Sequence, residues 1–270
     1  MTVAPGSVLL GTVALEPNRW ATVVPGGSPT IELSTWVPAA ASAGFDGLEV
    51  WDRHLSAADA PEATAVLAGA LPLVVFNSYA SFDDLDEVAS GRAAAVDWVA
   101  RARSRAVKFN VGNDLASADA YAERAVAWLD AMPPDVVLLC ECHAGISIAE
   151  DPVVAAKVLA AIGPADRVQA IVHTHESADH VRARFDAYGD RITHVHLNFL
   201  DPTTYQAPPL AEAADRLAAA VDVLRTCGFA GSWTIEFVAG VLTDRDRPDL
   251  LVEQAAADLE VLRAILADAA

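Results

Sequence analysis

Basic residues are scarce in this chain: 18 Lys and Arg stand against 37 Asp and Glu, a formal net charge of −19. Nucleic-acid binding rests on cationic side chains that neutralise phosphates, and no basic cluster is present to do it. The charge argues against a nucleic-acid partner and for a small neutral or cation-associated substrate, although the same acidity also serves plain solubility. Cysteine is sparse as well. Cys140, Cys142 and Cys227 form an odd set without a stapling pattern, which points to a reducing cytoplasm. Cys140-Glu141-Cys142 lacks CxxC spacing, so both thiols read as strand residues and not as a redox pair. Long apolar runs are missing: none approaches the roughly 18 residues of a membrane span, so no membrane partner is expected. Met1–Ala14 has neither the basic start nor the cleavage pattern of a signal peptide. No glycine fingerprint for phosphate follows the first apolar run either, since Val8–Pro17 contains only Gly11.

What is present is a 270-residue chain with 53% hydrophobic residues, much of it Ala and Val, enough to bury a sizeable core. Short β-rich runs alternate with Ala-rich helical stretches. The predicted strands are Val8–Ala14, Gly47–Trp51, Leu73–Asn77, Ala106–Asn110, Val136–Glu141, Val168–His173, Ile192–Leu197 and Ser232–Phe237. A loop with Trp20, Pro25, Gly26, Gly27 and Pro29 follows the first. The predicted helices are Leu33–Ala43, Ala57–Ala70, Leu85–Arg103, Ser117–Met132, Pro152–Ile162, Ser177–Tyr188, Leu210–Thr226 and Pro248–Ala267, with Ser117 and Ser177 as N-caps. Eight such units in one uninterrupted chain predict an α/β fold, a single (β/α)8 TIM barrel spanning residues 1–270. A doubly wound open sheet is the runner-up.

Catalytic groups in such barrels come from the C-terminal ends of strands. Alternation then sorts them, because side chains two apart share a face. Glu49, Glu141 with His143, His194 with His196 and Asn198, and Thr234 with Glu236 all fall on inward positions. Six of the seven histidines lie between His143 and His196. Single histidines are usually structural, but four successive strand ends offering His or Glu inward are hard to dismiss. Buried carboxylates must be paired or bind a metal. Glu141, His173, His196 and Glu236 are therefore the expected ligands of one divalent ion. Two carboxylates with two imidazoles suit Mn, Co, Zn or Fe better than Mg.

These residues resemble the xylose isomerase-like (AP endonuclease family 2) TIM barrels, which include sugar isomerases and epimerases. Gly44-Phe-Asp-Gly-Leu-Glu49 is similar to the family's second-strand motif, Glu141 to its fifth-strand Glu, His196 to its seventh-strand His and Glu236 to its closing Glu. One run departs: where the family has an Asp-Thr-Gly-His type sequence, this chain has His173-Thr-His-Glu176. That exchange favours softer metals over Mg and leaves His175 as an outer group or alternative ligand. The family's DNA-repair members carry further ligands for a three-zinc cluster, and Asn77-Ser-Tyr79 and Asp201–Pro209 supply no histidine for them.

The resemblance implies a metal-dependent isomerase or epimerase that transfers a proton beside a carbonyl through an enediolate. Glu141 and Glu236 would be the acid–base pair, with His143 a substrate contact or alternative base. Glu49, His54, Lys108, Asn110, His175 and Asn198 are candidate contacts to a polyhydroxylated substrate. Glu49 and Lys108 read equally well as a buried ion pair, and Trp20, Trp36 and Trp51 as pocket walls or as packing under the loops. No Lys/Arg-bearing glycine nest follows strands seven or eight, so a phosphate handle is not expected. A dehydratase of the same fold and a non-catalytic metal-binding barrel subunit are the competing readings. A homo-oligomer is compatible with the sequence.

Overall fold

The computed structural model describes residues 3–22, 27–82, 86–143 and 145–268. Its strands are β1 (Val8–Gly11), β2 (Gly47–Trp51), β3 (Leu73–Asn77), β4 (Ala106–Phe109), β5 (Val137–Glu141), β6 (Val168–His173), β7 (Ile192–Leu197) and β8 (Ser232–Ile235). Each pairs in parallel with its sequence neighbours, and β8 returns to β1 to close the barrel. Helices follow the strands along the chain, which makes this the expected (β/α)8 barrel.

Side-chain alternation divides the interior into layers. Leu9, Val75, Ala106, Val137, Leu139 and Ile171 plug the N-terminal end of the barrel. Their outward neighbours, among them Leu10, Val50, Phe76, Val107, Leu138 and Val172, pack beneath the helices in a separate and larger cluster. Above the plug the inward positions turn polar: Glu49, Asn77, Lys108, Glu141, His173, His194, His196 and Thr234 are all buried. Where β8 begins, a Cβ on Gly231 would collide with the Thr193 carbonyl, so glycine lets the strand lie against β7. That close approach seats His194 beside Ser232 and His196 beside Thr234.

Several element ends differ from expectation, each for a local reason. β1 stops at Gly11 and Thr12–Leu15 coils into a 3-10 turn, because the Thr12 hydroxyl, not a backbone carbonyl, accepts from the Trp51 N–H at 2.9 Å. β4 and β8 end one residue before Asn110 and Glu236, leaving both on the loops just beyond. The helix expected at Ala57–Ala70 is shorter, Ala60–Leu67, capped by Asp59 accepting from Glu62 N–H, and a separate turn of helix, Arg53–Ser56, precedes it. The helix expected from Leu210 starts at Ala214. Ser177 caps Ala178–Tyr188 as expected, whereas the Ser117 hydroxyl donates to Asp114 and caps nothing. Pro25, Gly26 and Leu85 lie outside the described residues; the helix expected from Leu85 is seen as Asp86–Ala102. No described helix is long and apolar enough to cross a membrane.

Leu210 is held by a carboxylate. Asp258, on the helix Pro248–Asp268 and 1% exposed, accepts from Leu210 N–H at 2.9 Å and from Gln254 Nε2 at 2.8 Å through one oxygen, leaving the other unpartnered. Burial pushes this carboxyl from 3.8 up to about 6 against the pull of both hydrogen bonds. A carboxyl with a raised folded-state pKa binds its proton more tightly when folded, so stability is gained as pH falls from about 6 to about 4. Asp258→Asn should therefore be more stable than the parent at pH 8 by about 1 kcal/mol, roughly 3 °C in Tm, with the gap closing by about pH 4. Thermal melts across that range check it; a less stable variant at pH 8 would contradict it.

Candidate metal centre

Adjacent strands deliver the four donors. Glu141 ends β5, His173 ends β6, His196 lies in β7 and Glu236 follows β8, with His173 paired to His196 and His196 to Thr234. One ligand atom from each lies within 4.8 Å of the other three, and all four residues are buried. His196 Nδ1 is 3.3 Å from Glu236 Oε1 and 3.5 Å from Glu141 Oε1, and His173 Nε2 is 3.6 Å from Glu141 Oε1.

The outward atom of each donor is anchored. Glu141 Oε2 accepts from Lys108 Nζ at 2.8 Å and Asn110 Nδ2 at 3.2 Å. Glu236 Oε2 accepts from Asn198 Nδ2 at 3.1 Å. His196 Nε2 lies 3.0 Å from Glu49 Oε2, and His173 Nδ1 lies 3.5 Å from Glu176 Oε1. The inward imidazole atoms, His173 Nε2 and His196 Nδ1, have no hydrogen-bond partner although they are buried. Buried polar atoms rarely go unsatisfied. Two carboxylate oxygens and two orphaned ring nitrogens converging on one point fit a divalent cation, and borderline metals suit that donor set. His196 and His173 thus each have a carboxylate, Glu49 and Glu176, on the far side of the ring.

Charge is distributed to match. Burial opposes ionisation of Glu141, but Lys108, His173 and His196 hold its carboxyl well below the usual range. Glu236 is likewise held down, chiefly by His196, against burial and the like charge of Glu141. Burial would deprotonate His196, yet Glu49 and Glu236 raise its ring well above the ordinary imidazole value. Glu176 is taken down to about 2, burial being outweighed by His173 and Arg184. The carboxylates around His196 thus favour positive charge at the centre of the cage.

The other sequence candidates divide. Asn110 and Asn198 grip the two cage carboxylates. Lys108 does form a buried ion pair, but its partner is Glu141, since the adjacent strands β4 and β5 place them 2.8 Å apart. Glu49 is 1% exposed and accepts from Asn77, Thr234 and His196, so its oxygens are engaged inside the barrel. His54 is likewise enclosed. Its ring is sealed under Trp51, with Nδ1 on Thr12 at 2.9 Å and Nε2 on Glu16 at 3.1 Å. His143 is half-buried just past β5, its ring centroid 5.4 Å from that of His173. His175 is exposed, 5.2 Å from the His173 ring. Trp51 is fully buried at an inward position, Trp20 stacks with Tyr205 and Phe237 beyond β8, and Trp36 packs on the outer core. Sequence reasoning gave no role to Arg184, eleven residues beyond His173 on a helix whose buried face carries no motif.

No protein-family model and no curated protein matches the sequence. Solved structures do match over nearly the whole chain. The probable 3-DHS dehydratase AsbF from Bacillus anthracis aligns with a TM-score of 0.67 at 14% identity, covering 94% of this chain and 98% of that one. The 3-keto-D-glucoside 4-epimerase YcjR from E. coli gives 0.62 at 15% identity, covering 96% and 99%. A xylose isomerase domain protein from Alicyclobacillus acidocaldarius gives 0.62 at 15% identity, again covering 96% and 99%. At these identities the likeness is one of fold, a single (β/α)8 barrel over nearly the whole chain.

A ligating imidazole must be free of its proton, and the carboxylates around His196 favour the protonated ring, so metal affinity should rise with pH. Competition of the protein with a chelating dye for Zn or Mn, corrected for the dye's own protonation, should show about a tenfold gain per pH unit from pH 6 to 8. Affinity independent of pH would contradict the assignment.

Proposed function

We propose that the protein is a divalent-metal-dependent isomerase or epimerase that acts on a ketose or related polyhydroxy carbonyl compound by proton transfer through an enediolate. The observation that carries this reading is the inward convergence of Glu141, His173, His196 and Glu236, two of whose buried nitrogens lack any other partner. A divalent ion held there supplies positive charge against the negative charge that develops on adjacent substrate oxygens.

The two carboxylates are not equivalent. Glu141 has the Lys108 ammonium against its outer oxygen, whereas Glu236 has only the Asn198 amide. A neighbouring cation lowers proton affinity, so Glu236 is the better acceptor of the substrate C–H proton and the group to return it to the adjacent carbon, while Glu141, kept ionised beside Lys108, is left to hold the cation. The Lys108 charge is already met by Glu141, which speaks against a phosphate or carboxylate there. The net charge of −19 supports the same preference for a neutral substrate and against nucleic acid. Cys140 and Cys142 are unpaired with their sulfurs 3.9 Å apart, in keeping with a cytoplasmic protein.

Dehydration is the second reading, favoured by one feature. His143, two residues beyond Glu141 and beside the His173 ring, stands where a further acid could protonate a departing β-hydroxyl.

Incubation of the metal-loaded protein with a panel of ketoses and keto-polyols in D2O should place deuterium on the carbon next to the carbonyl, followed by NMR. Glu236→Gln should slow that exchange by about 100-fold or more. Release of water without exchange would move the assignment to the dehydratase. Tight metal binding with neither outcome would leave a non-catalytic barrel.

A further inference from the structure

Glu176, half-buried, and Arg184, fully buried, take no part in the proton transfer proposed above, yet both pack against its donors. Glu176 Oε1 accepts from the His173 backbone N–H at 2.9 Å and lies 3.5 Å from the ring Nδ1, while Oε2 accepts from Arg184 Nε at 2.6 Å. The Arg184 guanidinium is 1% exposed and spends its remaining donors close by. It donates to the Cys142 carbonyl at 2.6 Å, the Tyr188 hydroxyl at 2.7 Å and the Ala149 carbonyl at 3.3 Å. Cys142 is the residue after Glu141, so one planar fork touches the ends of both β5 and β6. A buried guanidinium is tolerable only when such partners surround it, and its rigid geometry fixes their directions. A carboxylate facing Nδ1 keeps the N–H on that atom and turns the Nε2 lone pair inward. There Nε2 stands 3.6 Å from Glu141 Oε1 with no hydrogen-bond partner.

We propose that Glu176 and Arg184 are a positioning pair that holds His173 as an inward-facing Nε2 donor and ties it to the strand end carrying Glu141. Selection of imidazole-preferring metals such as Zn or Co over Mg then depends on two side chains outside the donor set. This rests on reading the four donors as a metal centre.

The test uses the purified, metal-stripped full chain titrated with Zn and Co against a chelating dye, with Co absorption spectra and apo-protein melts. Glu176→Gln should weaken Zn and Co binding about 10- to 100-fold and alter the Co spectrum. Arg184→Lys, which keeps the charge and loses the fork, should fall between that variant and the parent. Arg182→Ala, on the exposed face of the same helix, should bind as the parent does. In a His173→Ala background, Glu176→Gln should cost little more, because its effect passes through the lost ring. If the parent binds no metal, the metal-centre reading fails and takes this inference with it. If the parent binds but Glu176→Gln matches it in affinity and spectrum, the positioning pair is overturned while the metal centre stands. If Glu176→Gln does not fold, Arg184→Lys decides: unchanged affinity and spectrum overturn the pair.

Discussion

Two carboxylates and two imidazoles buried at one point cannot stay there without compensation. Desolvation alone would neutralise Glu141 and Glu236. The barrel answers by anchoring the far side of every donor: Lys108 and Asn110 on Glu141, Asn198 on Glu236, Glu49 on His196 and Glu176 on His173. Those anchors occupy one face of each group and leave the other open to the centre. The apolar plug formed by Leu9, Val75, Ala106, Val137, Leu139 and Ile171 closes the barrel below, so the uncompensated faces meet in a confined space.

The anchors are drawn from all around the molecule. Asn77 on β3 and Thr234 on β8 hold Glu49 on β2, and Glu49 in turn reaches across the interior to His196 on β7. Arg184 holds Glu176 from a helix outside the barrel. Closure of the barrel is therefore a condition for the site, because no single unit contains both a donor and its anchor except the His173–Glu176 loop. A barrel frame of this kind does not by itself fix the chemistry, which is set by the residues around its mouth.

Much of this is legible in the sequence wherever a period-two pattern ends in a polar residue. Ser232-Trp-Thr-Ile-Glu236 and His194-Val-His-Leu-Asn198 announce which face is inward, and strand order then makes their ends neighbours. Pairings across the barrel are not encoded in that pattern. Glu49 and Lys108 both point inward, but register and twist give Lys108 to Glu141 and Glu49 to His196. His54 follows a strand end and carries no local sign that Glu16 and Thr12, some forty residues earlier, will seal it. Arg184 sits amid helical periodicity, and only the packing of its helix on the ends of β5 and β6 gives it a role. The early end of β1 depends on a side-chain oxygen replacing a ladder carbonyl, which no propensity anticipates.

The central claim is a place as much as a function: one cation held between Glu141, His173, His196 and Glu236. Anomalous diffraction at the Mn or Zn edge from crystals soaked with that metal tests it most directly. The account predicts a single strong peak at about 2.0–2.3 Å from one oxygen of each glutamate, His173 Nε2 and His196 Nδ1. No peak in the barrel, or one coordinated by Glu49 and His194 instead, would contradict it.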